Sequence, residues 1–191
     1  MVASSRGVEY KTYYHRHLPH YQPPEATYHV VFRLAGSLPA EVIERLRIER
    51  EAEDKRIAGF KDEARKREQW REHQVTYFEK FEALLDSAAT GPRWLSEGRI
   101  AGIVAESLRY RDTKQYELLA YTIMPNHVHM VLSLLYKPKK ESVGRRVSST
   151  YTLTTVLENL KWYTALQSNR LLARRGAFWQ HESYDHVHPV R

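Results

Sequence analysis

The sequence predicts an α+β domain with a charged helical insertion after its first long strand, on three observations. Runs rich in β-branched and aromatic residues recur at Thr27 to Leu34 and Tyr116 to Ile123, and an apolar run follows through Leu132. Amphipathic helical periods occupy 94–110 and 155–173. Between the first strand and the first of these helices lies a stretch, about 39–90, whose charges interleave as on a solvated helix. At 191 residues and 42% hydrophobic content the chain suffices for one well-cored domain over 1–191. It has no cysteine, which excludes disulfides and thiolate metal sites. No apolar run is long enough to span a bilayer and the amino terminus has no apolar signal core, so a cytoplasmic protein is expected.

Residues 1–26 are polar, carry Tyr10, Tyr13, Tyr14 and Tyr21, and are punctuated by Pro19, Pro23 and Pro24, which predicts an arm and not a core element. Gly36-Ser37 ends the first strand, and Pro39 fits a first helical turn. Ten basic and ten acidic residues cancel between Glu41 and His73, and Gly59 interrupts, so a helical hairpin is expected. Its later part, with Val75, Tyr77, Phe78, Phe81, Leu84 and Leu85, has an apolar stripe able to dock on the body. After Gly91-Pro92, the residues Leu95, Ile100, Ile103, Val104 and Leu108 define a core-facing helix.

The stretch Met124-Pro125-Asn126-His127-Val128-His129 follows the strand at 116–123. Pro125-Asn126 suits a tight turn, giving a β-hairpin with His127 and His129 on one face of its second strand. A polar loop over 136–152 comes next, with five basic residues: Lys137, Lys139, Lys140, Arg145 and Arg146. A helix over about 155–173 follows, with Thr155 and Glu158 matching a capping box and Gly176 a terminator. On it Leu153, Val156, Leu160, Tyr163, Gln167 and Leu171 are predicted to share one stripe. The chain closes with an extended segment at 177–187. From Lys137 to Arg175 nine basic residues, the five of the loop with Lys161, Arg170, Arg174 and Arg175, face two acids, an excess equal to the whole formal charge of +7. That placement marks these nine as candidate contacts to a phosphate-bearing partner, with a solubilising surface as the plain alternative.

Two imidazoles from a strand and a tyrosine and an amide from one helix face suggest a metal centre with a nucleophile. A divalent ion held by His127, His129 and the Gln167 carbonyl would polarise a phosphodiester, and Tyr163 would attack phosphorus to give a DNA phosphotyrosine. Each group also has a plain role, the histidines as an ordinary sheet face, Tyr163 as a core tyrosine and Gln167 as a surface residue.

The Met124-to-His129 stretch resembles the signature of the His-hydrophobe-His single-tyrosine transposases. His17-Leu18-Pro19-His20, the stretch from Pro23 to Leu38, Gly91-Pro92-Arg93-Trp94-Leu95, Lys161-Trp162-Tyr163-Thr164-Ala165 and the stretch from Phe178 to His186 resemble the branch of REP-associated tyrosine transposases. The resemblance implies a ferredoxin-like antiparallel sheet with helices packed on it, and His127, His129 and Gln167 as ligands of Mg2+ or Mn2+. It also implies Tyr163 as the nucleophile of a metal-dependent single-stranded DNA endonuclease and strand transferase, cleaving beside REP-type hairpins through a 5′-phosphotyrosine. The partner would be hairpin DNA, with no membrane role, and the protein a monomer or homodimer. Relatives continue past Tyr184-Asp185-His186 into a further helical segment, whereas this sequence ends at Arg191, an expected change in DNA grip or core closure. Trp162 is bulkier than the resemblance leads one to expect. Two other readings compete: a catalytically silent, domesticated module that grips structured single strands, and a structural metal site in a protein of another task.

Overall fold

A computed structural model describes residues 13–15, 19–21, 26–87, 89–135 and 152–188. Strands β1 (Tyr13–His15) and β2 (Pro19–Tyr21) form a small antiparallel ladder of their own. The main sheet uses β3 (Thr27–Leu34), β4 (Tyr116–Ile123), β5 (His127–Leu134) and β6 (Trp179–His188), in the order β4-β5-β3-β6 with every neighbour antiparallel. Two helices connect these strands, α3 (Gly98–Arg111) before β4 and α4 (Leu153–Leu171) before β6. Strand, helix, two strands, helix, strand in this order is the split βαβ arrangement of ferredoxin-like folds. The excursion between β3 and α3 holds α1 (Ala40–Ala58), α2 (Glu63–Ser87) and a 3-10 turn at Trp94–Ser96.

Strand alternation divides the sheet into two faces that bury different partners. Tyr28, Val30, Phe32 and Leu34 of β3 share one with Val128, Met130 and Leu132 of β5. They pack with Ile100, Val104 and Leu108 of α3 and with Leu153, Val156 and Leu160 of α4. The opposite face presents Val31 and Tyr184, which meet Leu46 of α1 and Tyr77, Phe81 and Leu85 of α2. The apolar stripe of α2 therefore docks, and it docks on the face that α3 and α4 leave bare. The molecule has three layers, with the sheet in the middle.

The two glycines that bracket the excursion make its seam. Gly36 and Gly91 both have positive φ, 75° and 78°. A Cβ at Gly91 would stand 2.2 Å from the Gly36 carbonyl oxygen and 2.9 Å from Ser37 Cα, so only glycine lets the chain return across its own exit.

Helix α4 begins earlier than the capping box at Thr155 and Glu158 implied. Its cap is Thr152, whose hydroxyl oxygen accepts from the Thr155 N–H at 3.1 Å. The reason is Leu153, fully buried and part of the apolar face, which draws the first turn inward. The buried stripe runs Leu153, Val156, Leu157, Leu160, Thr164 and Ser168, not through Tyr163, Gln167 and Leu171. From Leu160 the next inward positions at 3.6 residues per turn fall four and eight residues on, which turns 163 and 167 to the stripe's edge. The basic loop expected at 136–152 lies outside the described residues up to Tyr151, and with it Lys137, Lys139, Lys140, Arg145 and Arg146.

Candidate metal centre

His127 and His129 stand at the start of β5, opposite Arg33 and Val31 of β3, so both imidazoles enter the face covered by α2. Three backbone bonds hold the bend before them. Met124 N–H donates to the His127 carbonyl at 2.9 Å, Leu34 N–H to the Asn126 carbonyl at 2.8 Å, and Leu95 N–H to the Pro125 carbonyl at 3.2 Å. The strand therefore presents its histidines from a fixed base.

His127 is fully buried, and Asn126 settles its orientation. The ring Nδ1 lies 2.7 Å from Asn126 Oδ1, while Asn126 Nδ2 donates to the Leu85 carbonyl at 3.0 Å. Leu85 belongs to the last turn of α2, where carbonyls lack helical partners, so one amide caps α2 and aims the histidine. An amide oxygen only accepts, so His127 Nδ1 carries the proton and Nε2 the lone pair. That Nε2 faces His129 Nε2 at 2.8 Å.

Helix α2 brings two carboxylates to the pair. Asp86 Oδ1 lies 3.6 Å from His127 Nε2, and Glu82 Oε1 lies 3.3 Å from His129 Nδ1. His29 of β3 adds a third imidazole, its Nε2 at 3.2 Å from His129 Nδ1. The donor atoms form two triplets, Asp86-His127-His129 and His29-Glu82-His129, each with all its atoms within 4.8 Å of one another. Desolvation, then the neighbouring His129, pushes the His127 pKa down to about 4, and desolvation lowers that of His129. Both rings are thus neutral near pH 7, the form that ligates. Desolvation, then the neighbouring Asp86 and Glu79 carboxylates, raises the pKa of Glu82.

The residues fit a divalent ion. Two donors about 2.1 Å from one ion and at right angles to each other stand about 3.0 Å apart, close to the 2.8 Å between the two Nε2 atoms. Two neutral imidazoles and a carboxylate also make a donor set common to first-row ions.

The structure does not bring Tyr163 or Gln167 to this centre. Both lie on α4, and the sheet stands between α4 and the histidines. Tyr163 is 42% exposed and, with Gln167, lines a groove between α3 and α4 that includes Ile103, Ser107, Arg111 and Arg170. The Arg111 guanidinium sits 5.9 Å from the Tyr163 ring centre. The shared site expected of these four residues is therefore not formed within one chain. A swap of α4 between chains would tear out Leu153, Val156 and Leu160 and the 2.8 Å bond from Trp179 Nε1 to Thr164 Oγ1.

The described basic candidates divide. Arg170 and Arg175 are exposed. Lys161 donates to the His181 carbonyl at 2.7 Å and to Ser183 Oγ at 3.2 Å, while Arg174 donates to Asn169 Oδ1 and Ala177 O and lies 4.0 Å over Trp94. The latter two tie α4 to its surroundings. Among the described residues no helix is long and apolar enough to cross a membrane.

Sequence reasoning missed Glu82, Asp86 and His29. The first two are four apart on α2, hence on one face, flanking the apolar Phe81 and Leu85. His29 shares the parity of Val31 and Arg33 on β3. These signals exist in the sequence but say nothing of which sheet face α2 covers.

No family model matches this chain, and no curated protein matches it. Among solved structures, one described as a REP-associated tyrosine transposase bound to a REP hairpin is similar over 93% of this chain, at 11% sequence identity and a TM-score of 0.40. This chain spans 62% of that structure's length.

Proposed function

We propose that this chain is a divalent-cation-dependent, single-stranded DNA endonuclease and strand transferase of the His-hydrophobe-His type, acting beside REP-type hairpins. The observation that carries the reading is the pair of Nε2 atoms 2.8 Å apart on β5 with the Asp86 carboxylate beside them. The Met124-to-His129 motif and its companion stretches support the DNA substrate. His127, His129 and Asp86 would hold Mg2+ or Mn2+, with Asp86 in the place expected of Gln167. When bound, the ion supplies Lewis-acid stabilisation of charge on the phosphoryl oxygens. Asn126 keeps the lone pair of His127 turned inward, and Glu82 accepts the Nδ1 proton of His129 when its Nε2 ligates.

Among the described residues no tyrosine hydroxyl is shown against the pair. Tyr184 shares the face, but it is buried against Phe78 and Phe81, and desolvation drives its phenol pKa well up. A 5′-phosphotyrosine in this reading needs a tyrosine from elsewhere, in this chain or a second copy, Tyr163 of another chain included. The separation of Tyr163 from the histidines favours a second reading, a module that grips hairpin DNA without cutting it.

Incubation with hairpin single-stranded DNA and manganese, followed by denaturing electrophoresis, tests both. Cleavage and a slowed protein band, lost in His127→Ala, are expected. Hairpin binding with no product in the wild type would establish the second reading instead. A band lost in Tyr163→Phe as well would assign the nucleophile to a second chain's α4.

A further inference from the structure

His129 meets a different ligand set with each of its ring nitrogens. Nε2 faces His127 Nε2, beside which the Asp86 carboxylate lies, while Nδ1 faces His29 Nε2 at 3.2 Å and Glu82 Oε1 at 3.3 Å. Resting on the proposed function for the inner set, we infer that His29, Glu82 and His129 Nδ1 form a second cation site, suited to zinc, and that the two sites exclude each other.

Exclusion follows from the proton count on one ring. A neutral imidazole has one N–H and one lone pair. The N–H of His127 is committed to Asn126, so with no cation between the rings His129 must donate Nε2–H across the 2.8 Å gap. Its lone pair then sits on Nδ1, aimed at His29 and Glu82. A cation at the inner set needs that lone pair on Nε2 and moves the proton to Nδ1, where Glu82 or His29 accepts it. Serving both sites at once would require an imidazolate.

Geometry separates the ions each site prefers. Ligands about 2.05 Å from a tetrahedral ion stand about 3.4 Å apart, which matches the 3.2 and 3.3 Å edges of the outer set. Of the inner set's edges, the 2.8 Å one between the two Nε2 atoms is nearer the right-angled geometry of Mg2+ or Mn2+, and the 3.6 Å one to the exposed Asp86 carboxylate is longer than either geometry sets. Phe78 adds an apolar wall, its ring edge-on to His29 at 5.4 Å, which favours a low coordination number.

The test is calorimetric titration of the full chain with zinc chloride, paired with the spin resonance signal of free Mn2+. The wild type should take one tight zinc, and saturating zinc should weaken manganese uptake at least tenfold. His29→Gln should weaken zinc binding at least tenfold and leave manganese affinity within twofold, with the melting temperature as a check on folding. Glu82→Gln, altered at a partly exposed side chain, should also weaken zinc binding, and Asp86→Asn should leave it within twofold. Absence of zinc uptake, zinc affinity unchanged in both outer-site variants, or one zinc and one manganese held together would overturn the inference. Zinc bound in the expected pattern by a chain that takes no manganese would support the outer site and count against the proposed function alone.

Discussion

Helices α2 and α4 pack on opposite faces of the same four strands, and comparing them shows why the centre has the composition it has. Helix α4 buries an uninterrupted stripe whose inward polar groups, Thr164 and Ser168, are small, and Thr164 is satisfied locally by Leu160 O and Trp179 Nε1. Helix α2 buries Tyr77, Phe81 and Leu85, then carries Glu82 and Asp86 along the seam where His127 and His129 arrive. A strand histidine draws its partners from the layer that covers its own face. That layer is the α1–α2 hairpin and not the helix that follows β5.

Loosening the α1–α2 layer at its seam has the largest expected effect. Gly91→Ala sets a Cβ against the Gly36 carbonyl on a positive-φ backbone, and it should lower stability by about 2–4 kcal/mol. Thermal melting checks this, and manganese affinity should fall with it because α2 carries Asp86. His127→Ala removes a proposed ligand without touching the other face. It should weaken manganese binding about 100-fold, while Tyr163→Phe leaves that affinity within twofold.

A change confined to the α4 layer sharpens the contrast. Thr164→Val leaves the buried Trp179 N–H, now bonded at 2.8 Å, without an acceptor. The expected cost is about 1–3 kcal/mol by denaturant titration, with manganese affinity unchanged. The smallest effect is a pH dependence on the same layer. Desolvation, then the charge of Arg33, pushes the Lys161 pKa down to about 8. Between that value and the ordinary lysine range the unfolded chain binds more protons, so Lys161 makes stability rise as pH climbs from 8 toward 10. Melting curves of Lys161→Met over that span should show a flatter rise than the wild type.

Much of the architecture was legible because it rests on local periodicity. The strand at 27–34, the hairpin around Pro125-Asn126, the break at Gly59 and the docking stripe of α2 all appear as expected. The histidine pair was legible too, since alternation alone puts His127 and His129 on one face. Its third partner was not. Tyr163 and Gln167 sit at the edge of the α4 stripe, where a drift of one residue between a 3- and a 4-residue step decides inward or outward. Glu82, Asp86 and His29 come from elements distant in sequence, and only sheet order and the side taken by α2 place them at the pair.

The role of Asp86 at the histidine pair is tested most directly by manganese affinity in Asp86→Asn beside Gln167→Ala, by calorimetry on chains with matched melting temperatures. At least a tenfold loss is expected for Asp86→Asn and a change within twofold for Gln167→Ala. Undiminished binding in Asp86→Asn, with the loss appearing in Gln167→Ala, would contradict that role.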